Sequence, residues 1–241
     1  MIKHTCSIYT FIISSLLILP SAVIAKDSSY VSLQVGGAIP NSKLTHVTIL
    51  DTVLVKKSPK NAAVFNINAG TQVFPNTYAE LEFAYANHKF NSNYMEMDEF
   101  GNPASVSASF KTRVKTMSGF ANLSYRFENL NIMVIPYITA GVGVSSNKVD
   151  NMTIARNSPT AAAVYSPTKT TTQAAWQIGG GLLMPVSKSI AVNLSYKYRD
   201  LGKIKTSTQA TISGLSANTN YPFLQGRMGT SNILLGMNIN F

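Results

Sequence analysis

Along almost the whole chain, apolar and polar residues alternate with a period of two, in segments of roughly ten residues. This is the period of a β-strand whose two faces meet different surroundings. In the clearest internal segment, Leu194, Tyr196 and Tyr198 lie on one face, and Ser195 and Lys197 lie on the other. We count eight such segments, which predicts an all-β fold built from one antiparallel sheet.

The N-terminus follows a different pattern, typical of a secretory signal. Lys3 precedes an apolar stretch at residues 8–19, followed by Pro20 and by Val23-Ile24-Ala25, which suits signal peptidase. The stretch is shorter than the about 20 residues that a membrane-spanning helix needs, so a retained anchor is the less favoured alternative. We therefore expect a cleaved signal at residues 1–25 and a barrel domain at residues 26–241.

The composition separates a membrane barrel from a soluble β-sandwich, which also alternates. Only 12% of the residues are charged, whereas about 25% are charged in soluble domains. The second face of each segment is mostly Asn, Ser, Thr, Gln and Gly. Aromatic residues lie near segment ends, where a membrane barrel has its aromatic girdles: Tyr85, Tyr125, Phe127 and Tyr198. The sequence thus predicts an eight-stranded antiparallel transmembrane β-barrel.

Short and long connections alternate between the segments. Short ones fall at residues 75–76, 128–131 and 185–189. Long ones fall at residues 40–61, 88–107, 147–173 and 202–226. Outer-membrane barrels have short periplasmic turns and longer extracellular loops, so we expect four long extracellular loops.

Two segments carry a family resemblance. The strand end YKYRDLG at residues 196–202 and the final segment, residues 232–241, are similar to those of small eight-stranded outer-membrane barrels. In layout and loop spacing, the chain most closely resembles the rickettsial-type surface adhesins within that group. The resemblance implies a location in the bacterial outer membrane and attachment to host cells through a host glycoprotein such as vitronectin. It also implies that Phe241 is part of the signal recognised by the outer-membrane assembly machinery.

The excess of basic residues indicates which classes of partner the protein could bind. The formal net charge is +10, and loss of Lys3 with the signal leaves +9. Export excludes nucleic acid as a physiological partner. Lys111, Arg113 and Lys115 stand at alternate positions and place three cations on one face of a strand. Their plain interpretation is solubility together with attraction to lipid phosphate groups at the barrel rim. For the protein as a whole, outer-membrane lipid and lipopolysaccharide are expected partners.

No motif points to catalysis or to a cofactor. Beyond the signal, the histidines are His46 and His88, and neither is tied by a local motif to a serine and a carboxylate. The acidic cluster at residues 96–99 lacks the ligand spacing of a calcium loop. Cys6 would leave with the signal, so no thiolate site is expected. We therefore expect neither an enzyme nor a bound metal or cofactor.

Charged residues on the polar face of several segments predict a polar lumen. Glu80 and Glu82 share that face with Arg126, Lys197 and Arg199. Unpaired charges in a packed interior are costly, so we expect these five to neutralise one another. A proton or ion path is the rival interpretation. An eight-stranded barrel is filled by its own side chains, so a wide pore is not expected. A structural role or a small-solute channel remains the alternative to adhesion.

Adhesion would depend on the loops, because only they offer variable contacts on the exposed side. The third and fourth loops combine cations with aromatic anchors, the usual composition of a binding hot spot. The candidate ligand-binding residues are Lys148, Arg156, Tyr165, Lys169, Lys203, Lys205, Tyr221 and Phe223. Basic loops alone would suit sulfated glycans equally well.

The signal gives the first testable prediction. Protein recovered from the outer-membrane fraction should begin at Lys26, because cleavage is expected after Ala25. Intact-mass spectrometry of that fraction measures the N-terminus directly. A membrane-inserted protein that retains Met1 would contradict the cleavage.

Overall fold

The computed structural model describes residues 29–41, 44–46, 55–57, 59–97, 103–130, 132–156, 164–212, 215–218 and 224–241 of the 241-residue chain. The expected signal and its cleavage site lie outside these residues. The described strands are β1 (Ser29–Pro40), β2 (Leu44–His46), β3 (Val55–Lys57), β4 (Ala62–Phe74), β5 (Thr77–Met97), β6 (Pro103–Arg126), β7 (Ile135–Val149), β8 (Met152–Arg156), β9 (Val164–Ser166), β10 (Lys169–Pro185), β11 (Ile190–Lys205), β12 (Gln209–Ile212), β13 (Leu215–Asn218) and β14 (Leu224–Asn240). Within this part of the chain, no helix is long and apolar enough to cross a lipid bilayer.

Eight of the strands close into a barrel. Their order is β1, β4, β5, β6, β7, β10, β11, β14 and then β1 again, and all neighbours are antiparallel. Leu33 of β1 shows the closure, since it lies opposite Ile67 of β4 on one side and Met237 of β14 on the other. The predicted eight-stranded antiparallel barrel is confirmed.

The outward face of the barrel is an apolar band. Leu33, Ile67, Leu123 and Val142 are all more than half exposed, with Val142 at 70%. The polar residues that alternate with them, such as Asn122, are buried. A continuous apolar surface around the whole barrel would be unfavourable in water, whereas it matches the hydrocarbon core of a bilayer.

Aromatic side chains border the band at both ends. The rings of Tyr125 and Phe127 lie 5.1 Å apart near the short turns, and those of Trp176 and Tyr198 lie 5.5 Å apart toward the other end. Aromatic girdles at the two lipid–water interfaces are a general feature of membrane barrels. They delimit the segment of each strand that faces hydrocarbon.

The short turns all lie at one end of the barrel. Asn76 adopts a positive φ of 61°, which suits a two-residue turn between β4 and β5. The 3₁₀ turn Glu128–Leu130 joins β6 to β7. The Phe241 amide donates a hydrogen bond to the Ser29 carbonyl at 3.0 Å, so the ends of β1 and β14 lie at this same end.

The long connections differ from the sequence expectation of simple loops. The second one, predicted at residues 88–107, is largely strand, because β5 runs to Met97 and β6 begins at Pro103. The alternation of β6 changes phase beyond the lipid-facing band: Val106, Ala108 and Phe110 occupy even positions, whereas the lipid-facing Met117 and Leu123 occupy odd ones, although the backbone pairing continues. The sheet therefore projects beyond the membrane-facing band.

A buried carboxylate crosslinks the middle of the lumen. Glu82 of β5 is 3% exposed, and its Oε2 lies 2.6 Å from Nζ of Lys197 on β11. Its Oε1 pairs with Arg199 of the same strand. Gln177 Nε2 donates to Glu82 Oε2 at 3.0 Å, and Asn122 Nδ2 donates to the same oxygen at 3.2 Å. Four strands, β5, β6, β10 and β11, are thus tied together at one carboxylate.

Glu80 and Arg126 lie outside these ion pairs. Within the described lumen, neither is paired with an opposite charge within 4 Å. The Arg126 guanidinium instead lies over the rings of Tyr78 and Tyr30, at 3.6 and 4.7 Å from their centres. The register explains the separation: Glu80 lies opposite Asn122, which is four positions from Arg126, or about 13 Å along the strand.

The rest of the described interior is packed. Toward the long connections the lumen holds an apolar cluster of Val114, Phe120, Val149, Ala175, Leu201, Ile204 and Met228. Two small cavities on either side of Glu82 hold about 10 Å³ each, roughly one water molecule. Both the ion pairs and the apolar cluster therefore fill the barrel.

The central ion pairs make a prediction about stability. Glu82→Gln should lower the free energy of unfolding by about 3 kcal/mol, because it leaves two buried cations without a carboxylate. Adding Arg199→Gln should restore part of the loss, since one unpaired charge is removed. Urea unfolding in detergent micelles, followed by the fluorescence of Trp176, measures the effect.

Glu80→Gln is the matched control, because it makes the same chemical change at the neighbouring inward position of β5. The Glu80 carboxylate takes no part in the ion pairs. The substitution should cost about 1 kcal/mol. Equal losses for the Glu80 and Glu82 variants would show that the ion pairs carry no special share of the stability.

Candidate binding surface

Three of the four long connections join in one sheet above the barrel. The outer part of β6 pairs with β8, with Ala108 opposite Arg156 and Lys111 opposite Thr153. β8 pairs with β9, β9 with β12, and β12 with β13. We call the outer parts of β5 and β6 together with β8, β9, β12 and β13 the outer sheet. It unites segments that are far apart in sequence into one surface.

The first long connection attaches on the other side of the barrel mouth. β2 and β3 form a hairpin, and β2 pairs with the start of β14, where His46 lies opposite Leu224. The Asn41 amide donates to the Gly229 carbonyl at 2.9 Å. All four connections are therefore hydrogen-bonded to other strands in the described part of the chain.

A β-bulge on β11 shapes the rim beside the outer sheet. The register with β14 shifts between Asp200 and Lys203, and Gly202 has a φ of +75°. The Asp200 carboxylate accepts from the Gly202 amide at 3.0 Å and from Arg227 Nε at 2.7 Å. A side chain at Gly202 would lie 2.5 Å from Cβ of Gln173, so glycine is needed here for both conformation and space.

This bulge accounts for the YKYRDLG strand end that carries the family resemblance. Asp200 and Gly202 form the bulge, and Lys203 and Lys205 follow it as exposed cations. Lys203 lies opposite Arg227, the partner of Asp200. The motif thus ends the lipid-facing part of β11 and turns two cations to the surface.

The structure places most of the eight predicted binding residues around the barrel mouth. Lys148, Lys203 and Lys205 are exposed, and Lys169 is half-buried at the start of β10. The register sets Arg156 opposite Ala108, and Tyr165 between Thr153 and Thr211. Tyr221 and Phe223 lie outside the described residues. The basic members therefore occupy several strands and do not form a single cluster.

Lys89 is a surface cation that the loop prediction for residues 88–107 misplaces. The structure has it on β5, directly opposite Arg113 of β6. Its side chain is exposed on the outer wall of the barrel. Extending the antiparallel pairing of β5 and β6 past their apolar segments would have found it.

The chain is similar to known outer-membrane proteins. The chain is 28% identical over 129 residues to the outer membrane protein PagN of Salmonella typhimurium, a match that covers 53% of this chain. The chain spans about half the length of that relative, 51%. Among solved structures, the outer membrane protease OmpT of Escherichia coli aligns with a TM-score of 0.58 at 10% identity, covering 89% of this chain and 97% of OmpT.

A major outer membrane protein of Thermus thermophilus aligns with a TM-score of 0.55, also at 10% identity, covering 89% of this chain and all of that protein. At such low identity, these two likenesses show the fold alone. The sequence profile of the outer membrane protein beta-barrel domain family matches residues 11–223, most of the chain. The short turns therefore face the periplasm and the long connections are exposed at the cell surface. This chain belongs to the outer membrane protein beta-barrel domain family and is a protein of the bacterial outer membrane.

Proposed function

We propose that this protein is a surface adhesin that attaches the bacterium to host cells through its outer sheet. One observation carries the proposal: three of the four connections that face the outside are joined, strand to strand, into one surface. A surface held by backbone pairing loses less entropy on binding than separate flexible loops would. A protein that needed only to span the membrane would not require such a paired surface outside the barrel.

The residues on the outer sheet and on the barrel rim beside it suit a macromolecular ligand. Lys203 and Lys205 are exposed at the rim, and Arg156 and Tyr165 lie on neighbouring strands of the outer sheet. Arginine and tyrosine are the residue types most often found as anchors in protein interfaces. We propose these four residues, together with Lys148, Lys169, Tyr221 and Phe223, as the ligand-contacting set.

For the ligand we propose a host surface or serum glycoprotein, of which vitronectin is the example implied by the resemblance to rickettsial-type adhesins. Sulfated glycans are the competing ligand, since the cations alone would bind them. Ionic strength separates the two, because the Debye length falls from about 30 Å at 0.01 M salt to about 8 Å at 0.15 M. An interface with buried aromatic anchors depends less on that screening.

A solute channel is the second candidate, and the packing of the lumen argues against it. Glu82 with its two cationic partners closes the middle, and Phe120 and Met228 are among the apolar residues that close the outer half. A conducting path would need both layers to move. Bilayer conductance of the purified protein measures this alternative directly.

We propose no catalytic role, although OmpT shares the fold. His88 is fully buried inside the barrel, with Nδ1 3.1 Å from the Lys60 carbonyl oxygen. A buried imidazole bonded to the backbone is poorly placed to activate a nucleophile at the surface. His46 lies on the β2–β3 hairpin, which pairs with β14 on the side of the barrel mouth away from the outer sheet.

The adhesion proposal is tested by loop replacement. Short turns should replace residues 152–166 and 207–223, which removes β8, β9, β12 and β13. Attachment of a non-adherent host strain expressing this variant to cultured cells should fall to the level of the empty vector. The barrel should still form, as judged by heat-modifiable gel mobility, because the eight barrel strands are retained.

Replacing residues 47–54 of the first connection is the control, and it should leave most of the attachment. The proposal that the outer sheet binds host cells is wrong if the variant without the third and fourth connections attaches as well as the parent protein does.

The nature of the ligand gives a separate prediction. Binding of the purified protein to immobilised vitronectin should weaken by less than about tenfold between 0.01 and 0.15 M salt, because the aromatic contacts remain. Heparin binding, measured in parallel, should weaken far more. If only heparin binds, the ligand is a sulfated glycan, and the glycoprotein part of the proposal fails.

A further inference from the structure

A break in the strand pairing of β11 precedes Lys203 and Lys205. In the described part of the chain, the pairing of β11 with β10 extends only to Asp200. The pairing with β14 skips Leu201 and Gly202 and resumes at Lys203. Among the described strands, β14 therefore holds the end of β11 that carries the two lysines. The position of this end depends on how the two skipped residues are fixed.

The skipped residues are fixed from inside the lumen, by two side chains of β7. Ser145 Oγ donates to the Leu201 carbonyl oxygen, and Asn147 Nδ2 donates to the same oxygen at 2.7 Å. Strand β10 lies between β7 and β11 in the barrel, so these bonds cross the lumen and are not part of the sheet ladder. They give hydrogen-bond donors to a carbonyl at a residue that the bulge leaves out of the strand register.

The amide of Asn147 is oriented for this contact. Thr116 Oγ1 on β6 donates to Asn147 Oδ1 at 2.9 Å. Asn147 Nδ2 also donates to Ser145 Oγ at 3.1 Å. Because its oxygen accepts from Thr116, the amide turns its NH₂ group toward β11. Side-chain hydrogen bonds thus connect β6, through β7, to the bulge on β11.

These polar groups lie in apolar surroundings. Ser145 and Asn147 are fully buried. The side chain of Leu201 belongs to the apolar cluster of the outer lumen, which also contains Val149 and Ile204. In such surroundings a hydrogen bond is stronger than in water, and an unpaired carbonyl is costly. The chain therefore strongly favours the bulge geometry in which the Leu201 carbonyl faces β7.

The same bulge sets the course of the chain at the rim. The Asp200 carboxylate accepts from the Gly202 amide at 3.0 Å, which fixes the turn of the backbone. Lys203 and Lys205 follow directly and are exposed. A displacement of the Leu201 carbonyl would therefore move both ammonium groups at the surface.

We propose that Asn147, together with Ser145, is a positioning residue for ligand binding. It fixes the β11 bulge from within the lumen and thereby sets the positions of Lys203 and Lys205. This inference rests on the proposed function, in which the two lysines contact the host ligand. It gives a buried, inward-facing side chain a role at the external surface.

The test compares Asn147→Leu with the parent protein, both refolded in detergent micelles. The substitution removes the amide donor and places an apolar side chain beside the apolar cluster. Hydrogen exchange of the Gly202 amide should become about fivefold faster, which is the change in an equilibrium that one net hydrogen bond produces. Affinity for immobilised vitronectin or heparin should fall by about the same factor, because the binding-competent bulge is less populated.

A second variant, Thr116→Val/Asn147→Leu, guards against poor folding of the first. It also removes the hydroxyl that would be left without its acceptor, and it should show the same two changes. Ser124→Ala is the matched control, because it removes another hydrogen bond between β6 and β7, from Ser124 Oγ to Thr139 Oγ1 at 2.9 Å near the short turns. It should alter neither Gly202 exchange nor binding.

Lys203→Gln/Lys205→Gln separates positioning from general stability. Adding Asn147→Leu to that variant should weaken binding no further, because the lysines through which Asn147 acts are gone. A further fivefold loss overturns the proposal, as does unchanged Gly202 exchange in the Asn147→Leu variant. If the parent binds neither vitronectin nor heparin, the adhesion proposal fails, and Gly202 exchange alone decides whether Asn147 positions the bulge.

Discussion

Pairing between the first and last barrel strands is the constraint on which the rest of the structure depends. Hydrocarbon offers no hydrogen-bond partners, so each unpaired backbone amide or carbonyl facing it would cost several kcal/mol. The β1–β14 pairing runs from Tyr30↔Asn240 to Pro40↔Thr230 and leaves no free edge in the barrel. Once the sheet is closed, alternate residues must face either lipid or lumen.

The lumen that this closure creates is too narrow for a continuous water-filled pore, and too many of its inward residues are polar for an apolar core throughout. The chain fills its middle with Glu82, Lys197 and Arg199 and their amide partners, and its outer half with apolar side chains such as Phe120. Because an inward charge without a partner is costly, the ion pairs also favour one strand register over its neighbours. The barrel is therefore a rigid support for the connections above it.

The sequence is most informative where the two faces of a strand lie in different environments. Lipid on one side and lumen on the other produce the alternation from which all eight barrel strands were predicted. Beyond the lipid the alternation of β6 changes phase, with Ala108 and Phe110 at even positions and the lipid-facing Met117 at an odd one. The period alone therefore does not reveal that β5 continues to Met97 or that β6 pairs with β8. The alternation identifies which charged residues point into the lumen. It does not show that Glu82 pairs with Lys197 and Arg199 and not with Arg126, because that depends on a strand register that only the closed barrel defines.

The central claim is that three of the surface-exposed connections form one sheet, and amide hydrogen exchange of the folded protein in micelles tests it most directly. The account predicts slow exchange in residues 108–111, 152–156 and 209–212, where the backbone is paired outside the barrel. Their protection should be lower than that of the lipid-facing strands but well above that of an unstructured segment. Exchange at the unprotected rate in all three segments, with a protected barrel, would contradict a continuous outer sheet.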